Sequence, residues 1–113
     1  MSESKARHVS LEEAAAMGPP PRGNLAVPVF SAGDVEVELY EPQGVDPQKP
    51  HTRDELYIVA RGEGMFFDGV ERHPVAEGSF VFVPAGQEHR FEDFSERFAV
   101  WVVFYGPEKP ERD

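Results

Sequence analysis

Apolar residues recur from residue 25 onward in short runs that are typical of β-strands. In the run VEVELY at 35–40, the valines and Leu39 point to one side of the strand and the glutamates to the other. The run at 98–105 is apolar at successive positions, which favours a strand covered on both faces. The pattern predicts eight strands, at 25–30, 35–40, 55–60, 64–67, 70–73, 80–83, 89–91 and 97–105.

One short helix is predicted before the strands. Ser10 and Glu13 form a capping box, the alanines at 14–16 propagate the helix, and Gly18 followed by Pro19 ends it. We expect this helix on the outside of the domain, joined to the strands by a stiff proline-rich connector.

Short strands at even spacing with glycine and proline turns predict an all-β fold, an antiparallel sandwich or barrel. Asp68-Gly69 between two strands indicates a tight hairpin. We expect three parts: a leader with the helix at 1–23, the β-domain at 24–107, and a charged, frayed tail at 108–113.

The amino-acid composition excludes several classes of function. The 113 residues contain 21 acidic and 11 basic side chains, giving a net charge of -10, so nucleic acid and acidic membrane surfaces are unexpected partners. Without cysteine, disulfides and thiolate catalysis are excluded. No apolar run approaches the ~20 residues of a membrane span, and the first eight residues do not resemble a signal peptide. We therefore expect a cytoplasmic protein.

The candidate metal ligands of the chain are His51, Glu55 and His89. Two imidazoles and one carboxylate suit a divalent transition metal with open coordination positions. His51 and Glu55 can share one face of a strand, and His89 must approach by folding. The simpler alternatives are structural or exposed histidines and a solvated Glu55 after Asp54.

Two sequence motifs in the chain resemble the two motifs of the cupin superfamily, specifically of the small single-domain cupins. The second motif matches at four positions. That motif has glycine, proline, glycine and histidine at fixed spacing, which Gly78, Pro84, Gly86 and His89 match. Asp93 stands where asparagine is usual.

The first cupin motif is matched with one departure. His51, Glu55 and Gly62 fit its second histidine, its glutamate and its last glycine, and Gly44 fits its first glycine with one residue fewer after it. Lys49 stands at the first histidine position. The resemblance implies a double-stranded β-helix, a jelly-roll-like barrel, with one metal ion (iron, manganese, nickel or zinc) held by His51, Glu55 and His89.

Lys49 leaves several interpretations open, because a protonated lysine cannot coordinate a metal. The site can have three protein ligands with Lys49 turned to solvent, Lys49 can bind an anionic substrate, or the metal can have been lost. In an alternative alignment, His51 takes the motif's first histidine position and Arg53 takes the second, which requires a deletion before Glu55. We favour three ligands and an outward Lys49.

Several other side chains are candidates to line a small-molecule pocket. Aromatic residues can equally be core, Gln87 can belong to a loop, and Arg53 can form a surface salt bridge with Asp54 or Glu12 instead of binding a carboxylate. The candidates are Lys49, Arg53, Tyr57, Phe66, Phe82, Gln87, Phe91, Trp101 and Phe104.

Two classes of function fit these residues. One is a metal-dependent enzyme on a small organic molecule, an oxygenase, isomerase or decarboxylase by resemblance. The other is a non-catalytic sensor or storage module that binds a small molecule or metal. In either case we expect a homodimer, because the strand at 100–105 needs cover on both faces.

Overall fold

Two antiparallel β-sheets and one short helix form the fold in the computed structural model, which describes residues 5–109. The elements are α1 (Leu11–Ala15), β1 (Val27–Ala32), β2 (Val35–Tyr40), β3 (Asp54–Arg61), β4 (Glu63–Phe67), β5 (Arg72–Ala76), β6 (Phe80–Val83), β7 (Arg90–Glu92) and β8 (Ala99–Tyr105). The predicted all-β class with one N-terminal helix is confirmed.

The larger sheet has the strand order β1-β2-β8-β3-β6, and the smaller has the order β5-β4-β7. One buried cluster contains side chains of both sheets, among them Tyr57 and Val100 from the larger and Phe66 and Phe91 from the smaller. The sheets therefore pack face to face as a jelly roll, and hydrogen bonds do not close them into a continuous barrel.

Helix α1 covers the opposite, outer face of the larger sheet. Ser10 accepts a hydrogen bond from the Glu13 amide, and Glu13 accepts one from the Ser10 amide, so the predicted capping box is present. Ala14 is fully buried against Leu39 and Ala99. The short helix is stabilised by this tertiary packing, because five residues are too few for a stable isolated helix.

Much of strand β8 is covered on both faces within the chain itself. It lies at the centre of the larger sheet, with Val100 and Val102 in the core between the sheets. Ala99 and Trp101 face outward into the cluster under α1. At these residues the helix supplies the cover that we expected from a partner subunit, and the homodimer itself stays a prediction.

The predicted hairpin at Asp68-Gly69 is longer than two residues. Phe67 pairs with Arg72, so residues 68–71 form the connection and β5 runs from Arg72 to Ala76 instead of from 70 to 73. The Asp68 side chain accepts hydrogen bonds from the amides of Val70 and Glu71, which stabilises a turn that excludes these two residues from the strand.

The chain end is anchored where the structure describes it. Lys109 pairs with Asp54 at 2.9 Å, and its amide donates to the Thr52 carbonyl, so the expected fraying does not extend to this residue. The rest of the predicted tail, and residues 1–4, lie outside the described residues. Within 5–109, no helix has the length and apolar character needed to cross a membrane.

Candidate metal centre

His51, Glu55 and His89 come together between the sheets. His51 lies in the loop before β3, Glu55 is the second residue of β3, and His89 immediately precedes β7. Their possible ligand atoms all lie within 4.8 Å of one another. Nε2 of His89 lies 3.1 Å from Oε1 of Glu55, and Nε2 of His51 lies 3.5 Å from the same oxygen. The three side chains thus converge on one point, as the sequence predicts.

The environment of Glu55 fits a metal ligand. Glu55 is 0% exposed, and neither of its carboxylate oxygens has a hydrogen-bond partner among the described residues. The contact with His89 lacks hydrogen-bond geometry although it is short. A buried carboxylate without compensation is energetically costly, and a divalent cation between it and two imidazole nitrogens would remove that cost.

The histidine rings are held by their surroundings. Nδ1 of His89 lies 2.8 Å from the Gln87 carbonyl, to which it donates, so Nε2 faces Glu55. Burial lowers the pKa of His89, but the Glu55 carboxylate and the Gln87 carbonyl outweigh it, and the pKa is raised overall. Burial lowers the pKa of His51 and outweighs the attraction of Glu55, which favours the neutral imidazole that a metal requires.

Gln48 completes the surroundings of the site, and sequence reasoning missed it. Its amide nitrogen donates to Asp46 at 2.6 Å, which directs its Oε1 towards the site, 3.2 Å from Nε2 of His51. Asp46 is itself buried and accepts hydrogen bonds from the Tyr40 hydroxyl and the Phe91 amide. An oxygen atom of Gln48 therefore faces the ligands. The family motif has its first histidine at the next position, which is Lys49 in this chain.

Tyr57 connects Gln48 with His89. Its hydroxyl lies 2.9 Å from Oε1 of Gln48 and 2.9 Å from Nε2 of His89. Burial, together with the charges of Glu55 and Asp46, raises the pKa of Tyr57 well above its ordinary value. Tyr57 therefore stays a neutral phenol that can donate a hydrogen bond at the site.

A cavity of about 330 Å³ adjoins the three ligands. Leu25, Ala26, Val102 and Phe104 make apolar walls, and the polar lining includes Glu38, a residue that the sequence analysis did not select. This volume is at the small end of the range for ligand pockets. The lining is formed by Gly23, Asn24, Leu25, Ala26, Glu38, Tyr40, Gln48, His51, Glu55, Tyr57, Val102 and Phe104.

Of the pocket candidates from the sequence, Tyr57 and Phe104 line the cavity. Phe66 and Phe91 are buried core residues whose rings pack on Tyr57, with Phe66 also 6.2 Å from the His89 ring. They support the site from behind without lining the cavity. Lys49 is exposed, in agreement with the outward orientation that we favoured.

The remaining candidates lie elsewhere. Trp101 packs under α1, and Phe82 is 49% exposed. Gln87 donates to the Asp68 carbonyl. Arg53 pairs with Glu36 at 2.7 Å and donates to the Gly106 and Asp34 carbonyls. It is therefore held in a surface ion pair, though with Glu36 and not with Asp54 or Glu12.

Comparisons with known proteins agree with this architecture. A family model described as a cupin domain matches residues 36–105. A crystal structure of a cupin-2 domain containing protein from Shewanella frigidimarina has a TM-score of 0.69 at 15% identity and covers 87% of this chain and 94% of that one. At that identity the likeness concerns the fold alone.

Two relatives match parts of the sequence. An uncharacterized protein of Streptomyces coelicolor is 49% identical over 63 residues, which are 56% of this chain and 60% of that protein. The HTH-type transcriptional activator RhaR of Mannheimia succiniciproducens is 28% identical over 75 residues, 66% of this chain and 26% of the activator. The chain thus covers less than two thirds of either relative.

Proposed function

The chain belongs to the cupin domain family, and we propose that it binds one divalent transition metal through His51, Glu55 and His89. In this proposal the adjoining cavity binds a small organic molecule beside the metal. The observation that carries the proposal is Glu55, a fully buried carboxylate with no hydrogen-bond partner among the described residues and two imidazole nitrogens 3.1 and 3.5 Å away. Iron, manganese, nickel and zinc all suit two histidines and one carboxylate.

A metal at this position would supply Lewis acidity to oxygen atoms of the bound molecule. The protein would supply orientation and exclusion of water. The Tyr57 hydroxyl is a neutral phenol that donates to Oε1 of Gln48, and Asp46 holds Gln48 in this orientation, so a bound molecule would meet a fixed polar pair beside the metal ligands. Phe104 packs edge-on against His51 and forms part of the apolar wall. If the protein is an enzyme, we expect an oxygenase, isomerase or decarboxylase.

A non-catalytic role is the second candidate, and the similarity to RhaR, a transcriptional activator, favours it. In this alternative the same cavity binds its ligand without converting it. The described residues contain only one five-residue helix, so no DNA-binding pair of helices lies among them. Incubation of the metal-loaded protein with a bound compound distinguishes the candidates, because a sensor returns it chemically unchanged.

Elemental analysis tests the metal site. We expect close to one equivalent of metal per chain in protein from metal-replete medium and a loss of most of it in the double variant His51→Ala, His89→Ala. His8→Ala is the matched control, because His8 is an exposed histidine before α1 and belongs to no group of possible metal ligands among the described residues. Equal metal in the wild type and the double variant would refute the site.

A further inference from the structure

We propose that Glu38 selects the ligand of the cavity, and that this ligand is a small organic molecule carrying a protonated amine. The inference rests on the proposed function, because the ligand is placed beside the metal site. It goes further in naming a chemical class and a residue that recognises it.

Glu38 is placed by the register of three strands. On β2 it pairs with Val102 of β8, and on the other side Val102 pairs with Tyr57 of β3. Glu38, Val102 and Tyr57 thus form a row across the inner face of the larger sheet, and all three line the cavity. Two strand spacings separate Glu38 from Tyr57, about 10 Å between backbones. A small molecule can therefore reach Glu38 at one end and the candidate metal ligands at the other.

No basic side chain among the described residues pairs with the carboxylate of Glu38. It takes part in no ion pair and no side-chain hydrogen bond there. Two arginines share small surface cavities with it, of which Arg53 is held by Glu36 and Arg7 lies over the Phe30 ring. The described residues that line the cavity include two carboxylates, Glu38 and Glu55, and no lysine or arginine. Burial, followed by the charges of Glu36 and Glu55, raises the pKa of Glu38. A cationic group beside it would relieve the repulsion, and an anionic group would add to it.

The rest of the lining limits the body of the ligand. Leu25, Val102 and Phe104 are apolar, and the cavity volume is about 330 Å³. An aliphatic or aromatic skeleton of modest size fits these walls, with an oxygen-bearing end towards His51 and Glu55. A charge-assisted hydrogen bond between an ammonium group and Glu38 is the strongest polar contact that this wall can offer.

Three catechols that differ only in one end group test the inference. Dopamine ends in an ammonium, 4-ethylcatechol in a methyl group and 3,4-dihydroxyphenylacetate in a carboxylate, while the catechol end can bind a metal in all three. They serve as probes and not as proposed substrates. Their dissociation constants are measured by calorimetry without oxygen, on zinc-loaded and on chelated protein, after metal content has been determined.

We expect the wild type to bind dopamine more tightly than 4-ethylcatechol, and 4-ethylcatechol more tightly than the acid. Glu38→Gln should reduce the preference for dopamine over the acid by about tenfold or more, the size expected for a hydrogen bond to a charged group. Glu63→Gln, which removes the same charge from an exposed position on β4, should leave the preference unchanged. Glu38→Asp keeps the charge and should retain the order of the three probes.

The outcomes separate this inference from the metal site. Any of four results overturns the role of Glu38, even if metal binds in full. These are equal binding of the three probes, tighter binding of the acid, no binding of any probe, and a preference for dopamine that survives Glu38→Gln. If elemental analysis finds no metal but chelated protein still prefers dopamine through Glu38, the inference stands and the metal proposal fails. The melting temperature of Glu38→Gln shows that a lost preference does not result from unfolding.

Discussion

Nε2 of His89 lies 3.1 Å from Oε1 of Glu55, in a place where both side chains are almost completely shielded from solvent. The two residues belong to different sheets, since Glu55 is on β3 and His89 leads into β7. Their approach therefore depends on the packing of one sheet on the other. Burying a carboxylate and an imidazole side by side opposes folding unless a proton or a metal ion lies between them.

Replacing Glu55 should make this cost measurable. In chelated protein we expect Glu55→Gln to raise the free energy of unfolding by about 1–3 kcal/mol, because the neutral amide is cheaper to bury and can donate to Nε2 of a neutral His89. Chemical denaturation with a chelator present measures the change.

With metal added, the order should reverse. A metal at about 1,000 times its dissociation constant stabilises the wild type by ~4.1 kcal/mol, which exceeds the advantage of the variant in chelator, and the variant should gain far less. Gln48→Glu, which changes charge in the opposite sense beside the site, should be less stable than wild type in chelator. A Glu55→Gln protein that is less stable than wild type in chelator would contradict the idea of an uncompensated carboxylate.

Gln48 should be a better position than Lys49 for adding a metal ligand. Oε1 of Gln48 already faces His51 and Tyr57, whereas Lys49 is exposed. We expect Gln48→His to tighten zinc binding by about tenfold or more, or ~1.4 kcal/mol. Competition with a chromophoric chelator measures the affinity.

Lys49→His is the matched control for that experiment, because it adds the same imidazole one residue further along the chain. Its zinc affinity should equal that of the wild type. A gain in Lys49→His without a gain in Gln48→His would mean that the loop before β3 takes another register when metal is bound.

The charge of Asp68 in the hairpin loop at 68–71 should stabilise the protein at neutral pH and lose this effect only in acid. Amide hydrogen bonds from Glu71, then the contact with His73 and the Val70 amide, lower the pKa of Asp68 to about 2 from 3.8. A lowered pKa adds stability above the unfolded value, and this stability is lost as the pH falls through the folded value. The wild type should therefore exceed Asp68→Asn in unfolding free energy above pH ~4, with the difference disappearing towards pH ~2.

Asparagine keeps an oxygen acceptor for the turn and lacks only the charge, so this comparison isolates the ionised form of Asp68. Denaturant titrations at a series of pH values give the difference. A difference that stays constant down to pH 2 would contradict the assignment.

The sequence predicted those features that depend on local pattern. Ser10 and Glu13 define the capping box by their spacing alone, and the motifs around Glu55 and His89 place both at strand ends. Asp93 stands where the family motif has asparagine, and its positive φ of 50° is one that both residue types tolerate. Such features need no knowledge of distant contacts.

Gln48 and Glu38 could not be found in the same way. The direction of Gln48 is set by Asp46, which is itself anchored by the Phe91 amide far along the chain. Glu38 alternates with apolar residues on β2, a pattern that normally puts the polar side in solvent. Here α1 covers Leu39 on the outer face, so the glutamate side lies towards the cavity. The packing of the helix on one face and of the smaller sheet on the other decides which side of β2 is buried.

The outer face of the larger sheet is the surface on which we expect two copies of the chain to meet. Phe80 pairs with Ile58, and Ile58 with Trp101, so one apolar row crosses three strands. Trp101 packs under α1, whereas Phe80 and Ile58 extend the row beyond the helix. Phe80, Phe82 and Ile58 are 61%, 49% and 40% exposed. β6 is also an edge strand with unpaired backbone groups. An apolar edge of this kind is prone to association, and a two-fold dimer would cover it in both subunits.

Sedimentation at micromolar concentration should therefore give a dimer for the wild type and a monomer for the double variant Phe80→Glu, Phe82→Glu. Two glutamates on each edge would be buried against like charges, which a two-fold contact cannot compensate. Val70→Glu is the control, because Val70 is even more exposed but lies on the hairpin loop of the other sheet, and it should remain dimeric. Metal content should be the same in all three proteins, since these side chains lie outside the site. A monomeric wild type would refute the dimer. A double variant that still dimerises would mean that the contact lies on another surface.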